Sequence, residues 1–350
     1  LEERANAFLA TANQQDPPSP YASGWDIIEA LLEDTLLWRI PETDRYRTRM
    51  AEAVRLFSRL RQIFPDARNV AWRTAPNLVA DYRLLVNRRL YPSREVSTTA
   101  FLEGLRRHTS LSPLQERIIA SLTRAGTQEE RRLSHFQARA AYRILAMFGQ
   151  DRSFGTVVSA GTGSGKTLAF YLPAYAAMAS QVSGEYWTKC LALYPRNELL
   201  KDQLREALAN ARRIAPALEA NGKRKLVIAA LYGDVPHSAT NLLSESGLWT
   251  QLTINGRQAY ECPFLRCPRC LERMAWMRSD IDQNIERLCC TDTSCAEHIE
   301  ADEIRLTRQR MLAEPPDILF TSTEMLNQRL SSARFAHLFG IGLRPNRRPG

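Results

Sequence analysis

The 350 residues contain no uninterrupted apolar run of the ~18 residues that a membrane-spanning helix requires. Leu1 to Ala12 carry acids at Glu2 and Glu3 and no apolar stretch of signal-peptide kind, so they do not read as a secretion signal. Together these two absences point to a cytoplasmic chain with no membrane partner. Glycine (16) and proline (18) are too few for a collagen-like or low-complexity protein. Lysine is scarce, so nearly all of the 47 basic residues are arginine. Outside the stretch from Cys262 to Cys295 there is one cysteine, Cys190. That bunching excludes a spread disulfide framework and suggests metal ligation in a reducing compartment. The chain opens on Leu1 and closes on Arg-Pro-Asn-Arg-Arg-Pro-Gly, which reads as a loop in mid-course, so an excerpt from a longer protein is expected.

What is present fits an ordinary globular chain, with 44% hydrophobic and 24% charged residues. The net charge of +9 permits polyanion binding without requiring it. The arginine excess has two readings, a coding bias and guanidinium recognition of phosphate.

Residues 1–130 read as a helical accessory region with no catalytic constellation. Ile27, Ile28, Leu31, Leu32 and Leu36 recur at helical spacing until Pro41. A second amphipathic run spans Tyr46 to Ile63, with Met50, Val54, Phe57 and Leu60 on one face, and ends before Pro65. Further helices are expected at Asn77–Leu90, Thr98–Arg107 and Pro113–Leu122. From about residue 131 the pattern changes. Helix His135–Met147 precedes short apolar runs at Thr156–Ala160, Cys190–Tyr194, Leu226–Leu231 and Ile318–Thr321. Helices at Thr167–Ala179, Asn197–Ala209 and Glu324–Leu330 alternate with them, the pattern of a parallel α/β sheet. The gap at 235–316 is too long for a simple connection and should hold structure of its own.

Ala160-Gly161-Thr162-Gly163-Ser164-Gly165-Lys166-Thr167 sits between an expected strand and an expected helix, the context of a P-loop. Glycines let backbone N–H groups converge on phosphate oxygens, and the helix N-terminus adds its positive end. Lys166 would reach the terminal phosphates of ATP, and the Thr167 hydroxyl would hold Mg²⁺. Position one is Ala160 where the general pattern has glycine.

The form A-x-T-G-S-G-K-T resembles that of superfamily 2 helicases of the DExH/DEAD-box kind. His135-Phe136-Gln137 is similar to their Q motif, in which a glutamine reads adenine and an aromatic packs beside it. Tyr194-Pro195-Arg196-Asn197-Glu198-Leu199 resembles motif Ia, and Pro316-Asp317-Ile318-Leu319-Phe320-Thr321-Ser322-Thr323-Glu324 resembles motif Ib, with Thr323 where proline is common. Leu231-Tyr232-Gly233-Asp234 is similar to a corner between them. The resemblance implies a RecA-like lobe, ATP and Mg²⁺ as ligands, and Pro195, Arg196, Thr321 and Thr323 along a nucleic-acid track, with DNA favoured over RNA. Thr323 would also cap its helix. It implies a second RecA-like domain in the rest of the chain as partner. The run Leu306-Thr307-Arg308-Gln309-Arg310-Met311 ahead of motif Ib is similar to the MrfA/DpdJ-like bacterial helicases, some of which serve phage defence or DNA modification alongside other proteins of those systems. The D-E-x-H/D acid box, which would place Mg²⁺ and the attacking water, does not occur in the 350 residues.

Cys267-Pro268-Arg269-Cys270 and the pair Cys290, Cys295 suggest a zinc ribbon with four thiolates, a closed structural Zn²⁺ site. Cys262 and Cys289 are spare candidates, and His298 another. Arg266, Arg269, Arg273 and Arg278 are either a nucleic-acid contact or a solvated face. The whole reads as an α/β protein: a helical N-terminal region over 1–130, then a RecA-like P-loop parallel sheet over 131–350 with a zinc-ribbon insertion at 235–316. Two rival readings stand beside a helicase: a P-loop ATPase switch that does not translocate, and a non-catalytic zinc-ribbon scaffold for nucleic acid.

Overall fold

A computed structural model of the chain describes residues 1–14, 18–61, 75–79, 92–123, 131–148, 150, 153–161, 163–195, 197–233, 235–244, 249–344, 347 and 349. Two compact units divide at residues 89 and 90. The first unit holds α1 (Glu2–Ala12), α2 (Gly24–Glu33), a hairpin of β1 (Leu37–Arg39) and β2 (Tyr46–Thr48), and α3 (Arg49–Phe57). Helix α2 starts on a capping box, in which Ser23 accepts from the Asp26 amide and the Asp26 carboxylate accepts from the Ser23 amide. The expected helix over 46–63 is shorter, because residues 46–48 pair with β1, and Met50, Phe57 and Leu60 are exposed rather than buried. The helix expected at Asn77–Leu90 lies largely outside the described residues.

The second unit begins with β3 (Arg94–Val96), α4 (Thr98–His108), α5 (Pro113–Thr123), β4 (Leu133–Ser134) and α6 (His135–Met147). Strands β3 and β4 pair antiparallel. Compactness thus places α4 and α5 with the second unit, whereas the sequence reading groups them with the first 130 residues. Next come α7 (Lys166–Gln181), β5 (Cys190–Tyr194), α8 (Asn197–Glu219) and β6 (Ile228–Leu231). Helix α7 is apolar on most of its circumference and buried along most of its length, with Phe170 and Ser180 exposed. Leu168, Leu172 and Ala176 pack with Phe101, Leu105 and Leu145 of α4 and α6, while Tyr171, Tyr175 and Met178 pack toward the sheet. Helix α8 buries Leu200, Leu204, Ala207, Ala211, Ile214 and Leu218, spaced three and four apart along one face.

The chain then leaves the sheet through α9 (Ala239–Ser244), β7 (Gln251–Ile254), β8 (Arg257–Arg266), β9 (Arg273–Met277), α10 (Arg278–Asp282), β10 (Leu288–Cys290) and β11 (His298–Ile299). These five strands form an antiparallel sheet in the order β11-β10-β9-β8-β7. It returns by β12 (Ile304–Arg305), α11 (Arg308–Ala313), β13 (Ile318–Ser322) and α12 (Thr323–Leu330). The second sheet is parallel throughout, in the order β12-β6-β13-β5. Strand β12 lies inside the interval that the sequence assigns to the insertion, so the chain rejoins the parallel sheet by residue 304. Thr156–Ala160, expected as a strand, pairs with no strand among the described residues, and Val157 is 94% exposed. An apolar run becomes a strand only when a neighbour accepts its ladder. Sheet and insertion share one continuous apolar core, in which Ile228, Phe320 and Leu208 join Phe264, Trp276 and Leu288.

Candidate nucleotide and nucleic-acid site

Gly165 is the N-cap of α7, in the left-handed region at φ +86°, a conformation that favours glycine. A Cβ there would also lie 2.6 Å from Gln137 Nε2, so a larger residue would displace the Gln137 amide as well as strain the backbone. Gly163 has φ +79°. Ser164 turns the loop, donating through its hydroxyl to the Gly161 carbonyl at 2.7 Å. Lys166 Nζ donates to the Ala160 and Gly161 carbonyls at 2.6 and 2.9 Å, so its ammonium lies over the loop. Thr167 is half-buried in the first turn of α7. Thr162 lies outside the described residues. The first amides of α7 have no partner within the helix and give this end its affinity for anions.

Gln137 is buried at 2% exposure. Its Oε1 accepts from the Ser134 amide at 2.9 Å and its Nε2 donates to the Gly165 carbonyl at 2.8 Å. The amide therefore joins the start of α6 to the cap of α7. Reading an adenine edge would require releasing one of these bonds. Phe136 is half-buried beside it.

Strands β5, β6 and β13 end side by side, with Ser322 opposite Tyr194 and Thr321 opposite Leu231. In open parallel sheets ligands bind beyond this carboxyl edge. Pro195, Tyr232–Gly233 and Thr323 follow the three strands there. The phosphate-loop helix reaches the same edge, since Tyr171 of α7 shares a hydrogen bond of 3.1 Å with Tyr194. Pro195 and Thr323 are exposed, and Arg196 lies outside the described residues. Thr321 differs from its expected place on the track. It is fully buried, and its hydroxyl donates to the Leu231 carbonyl at 2.7 Å, bracing β13 to β6. Ser322, not Thr323, caps α12 by accepting from the Met325 amide at 3.2 Å.

Asp302-Glu303 is the nearest acidic pair to an acid box in this lobe, and it precedes β12 at the opposite, amino-terminal edge of the sheet. Glu303 is taken by Arg212 at 2.6 Å and Asp302 by Lys225 at 3.1 Å. Asp317, the acid of the P-D-I-L run, has a role that the motif does not announce. It lies at that same far edge and binds Lys189 Nζ (2.6 Å), both Arg224 guanidinium nitrogens (2.5 and 2.9 Å) and the Val227 amide (2.8 Å). Its task is structural.

The insertion brings together the four cysteines singled out by spacing. The sulfurs of Cys267, Cys270, Cys290 and Cys295 all lie within 4.8 Å of one another, with Cys267–Cys295 at 3.7 Å and Cys270–Cys290 at 3.4 Å. Zinc bonded to four thiolates at about 2.3 Å spaces tetrahedral sulfurs by about 3.8 Å, so the set fits Zn²⁺. Each half turns on a residue with positive φ, Leu271 (+67°) after Cys270 and Ala296 (+51°) after Cys295. Burial pushes the Cys290 and Cys295 thiols up, whereas the Glu272 backbone holds the exposed Cys270 thiol down. A divalent cation overrides such thiol preferences by binding the thiolates. Cys262 is buried in the core and burial lifts its thiol to about 12. Cys289 donates to the Ala275 carbonyl at 3.4 Å, and His298 is exposed on β11; neither joins the cluster. Arg273 pairs with Glu261 and Arg278 with Asp282, which makes much of the arginine set a self-neutralised face.

A glycine-rich loop at the buried helix of a parallel sheet, with its open strand ends alongside, defines a P-loop α/β protein. Residues 134–248 match the family model of the DEAD/DEAH box helicase, from the start of α6 through the phosphate loop and β6. The parallel sheet is accordingly RecA-like. No curated protein matches the chain. Among the described residues no helix is long and apolar enough to cross a membrane.

Proposed function

We propose that the chain carries the ATP-binding lobe of a nucleic-acid-dependent helicase or translocase, with DNA the preferred polymer. The observation that carries this reading is the left-handed Gly165 cap that presents Lys166 and Thr167 at the start of α7, within the stretch that matches the helicase family. ATP would lie over residues 160–167, Thr162 included. Lys166 would exchange its loop carbonyls for the β- and γ-phosphates. Thr167 would hold Mg²⁺, which supplies charge neutralisation at the phosphates when bound. Phe136 would pack against the adenine, and Gln137 would read it once released from Gly165. Pro195, Arg196 and Thr323 would line the track, while Thr321 braces it from within. We assign Zn²⁺ to Cys267, Cys270, Cys290 and Cys295 as a structural ion, since four thiolates leave no open position.

The domain reading is a helical accessory region within residues 1–130, of which α4 and α5 belong to the second compact unit, and the first RecA-like domain over 131–350, acting with a second RecA-like domain in the cytoplasm. The MrfA/DpdJ-like branch, with its defence or DNA-modification setting, rests on the run Leu306–Met311 ahead of motif Ib. A non-catalytic zinc-ribbon scaffold is the second reading, which loss of the D-E-x-H/D box from the intact protein would favour; the 350 residues contain no such box. The same absence leads us to expect that this chain binds ATP without turning it over. Titration with single-stranded DNA, with and without a non-hydrolysable ATP analogue, tests the reading. Nucleotide-dependent DNA affinity supports it, and nucleotide-indifferent binding favours the scaffold.

A further inference from the structure

We infer that Glu286 of the insertion is a positioning residue for the corner that closes β6, so that metal loading in the insertion and nucleic-acid binding at the sheet edge are coupled. The second half of this inference rests on the proposed helicase reading. Glu286 is buried at 4% exposure, and among the described residues no cation forms an ion pair with it. Instead its carboxylate accepts from the Leu306 amide (2.7 Å), the Thr307 amide (3.1 Å) and the Thr307 hydroxyl (2.5 Å). Burying a carboxylate is expensive unless donors converge on it, and here three do.

The acid is held from both sides. Ile285 donates its amide to the Asp280 carbonyl, and Arg287 pairs with the Asp280 carboxylate at 2.9 Å. Two residues further on, β10 begins, and it ends on Cys290 of the four-sulfur cluster. A metal that fixes Cys290 therefore fixes the strand that presents Glu286.

The gripped segment in turn moulds the corner. The Arg308 amide donates to the Pro236 carbonyl at 3.0 Å and the Gln309 amide to the His237 carbonyl at 2.9 Å. The Arg308 guanidinium donates to the Gly233 carbonyl at 3.0 Å. Tyr232 and Gly233 directly follow β6 at the carboxyl edge, next to the end of β13. A continuous chain of bonds thus runs from the cysteine cluster through Glu286 and residues 306–309 to this edge. A spacer inserted only for bulk would not need a buried acid aimed at the strand return.

The test compares the metal-loaded chain, the chelator-treated chain and the Glu286→Gln variant. Gln keeps the shape but turns an N–H₂ toward one of the three donors. Zinc content, amide hydrogen exchange, affinity for a fluorescein-labelled single-stranded oligodeoxynucleotide and ATP affinity are measured on each. In Glu286→Gln, zinc content and ATP affinity stay as in wild type, exchange at Arg308 and Gln309 rises, and DNA affinity falls roughly tenfold. Chelation reproduces the faster exchange. Arg308→Met, which leaves Glu286 and its donors intact, gives the same DNA loss and keeps the test available if Glu286→Gln fails to fold. Unchanged exchange at these amides after chelation, or unchanged DNA affinity in Arg308→Met, overturns the coupling. If wild type binds no DNA while exchange still responds to Glu286→Gln, the positioning stands and the helicase reading falls instead.

Discussion

Removing the Asp317 carboxylate should cost the second unit more than any surface charge. Lys189 and Asp317 are both fully buried at their side chains, and the carboxylate also binds Arg224 and the Val227 amide. Asp317→Ala leaves the Lys189 ammonium, among the described residues, with no carboxylate partner and only the Trp187 carbonyl and ring to offset its charge. Arg224, 17% exposed and stacked on Tyr186, can turn toward water, but Lys189 cannot. Breaking a buried pair from one side costs about 3–5 kcal/mol, a large part of the ~5–15 kcal/mol that stabilises a domain. Asp317→Asn keeps the shape and one acceptor and should cost less. Equilibrium urea unfolding followed by tryptophan fluorescence measures both. Burial already holds the Lys189 ammonium below its ordinary 10.5, so the folded state binds this proton less tightly than the unfolded state does. Stability from this group therefore rises with pH up to about 10.5. Without Asp317 the folded pKa falls further, so the deficit of Asp317→Ala should shrink as pH rises through the alkaline range. A loss below about 1 kcal/mol, the worth of an exposed pair, or a deficit that grows with pH, would refute the reasoning.

Elemental analysis should find about one zinc per folded chain, and a folded chain without metal would reject the ribbon. Because insertion and sheet share one core, Cys267→Ser should lower the thermal midpoint of the whole second unit in a single transition. A separate, earlier transition confined to the insertion would contradict this. Gln137→Ala removes the acceptor for Ser134 and the donor to Gly165, and should cost about 1 kcal/mol, the usual worth of a cap, and weaken ATP binding as well. Unchanged ATP affinity would limit Gln137 to a structural role.

Much of the site was legible because its residues are close in sequence. The phosphate loop and the cysteine knuckles need particular residue types at fixed spacing, and the four sulfurs converge as that spacing suggests. Helix α6 matches its expected span because Ser134 and Gln137 mark its start locally. What was hidden depends on partners distant in sequence. Strand β12 is too short to show periodicity and exists only through its ladder with β6. Thr321 reads as an outward hydroxyl until the register sets it against Leu231. Glu286, Arg212 and Asp317 carry no local signature, since each is defined by donors or acids 20 to 128 residues away. The phosphate-loop run at 156–160 shows the converse, an apolar pattern without a paired neighbour.

The central claim is that residues 160–167 bind ATP through Lys166. Binding of a fluorescent, non-hydrolysable ATP analogue with Mg²⁺ to the chain and to Lys166→Ala tests it most directly. The variant loses the one ammonium of the loop while Gly163 and Gly165 keep its backbone, so folding should be unaffected and affinity should fall by tenfold or more, about 1.4 kcal/mol at the least. Equal affinity in the two proteins, or no binding by the wild-type chain, would contradict the account.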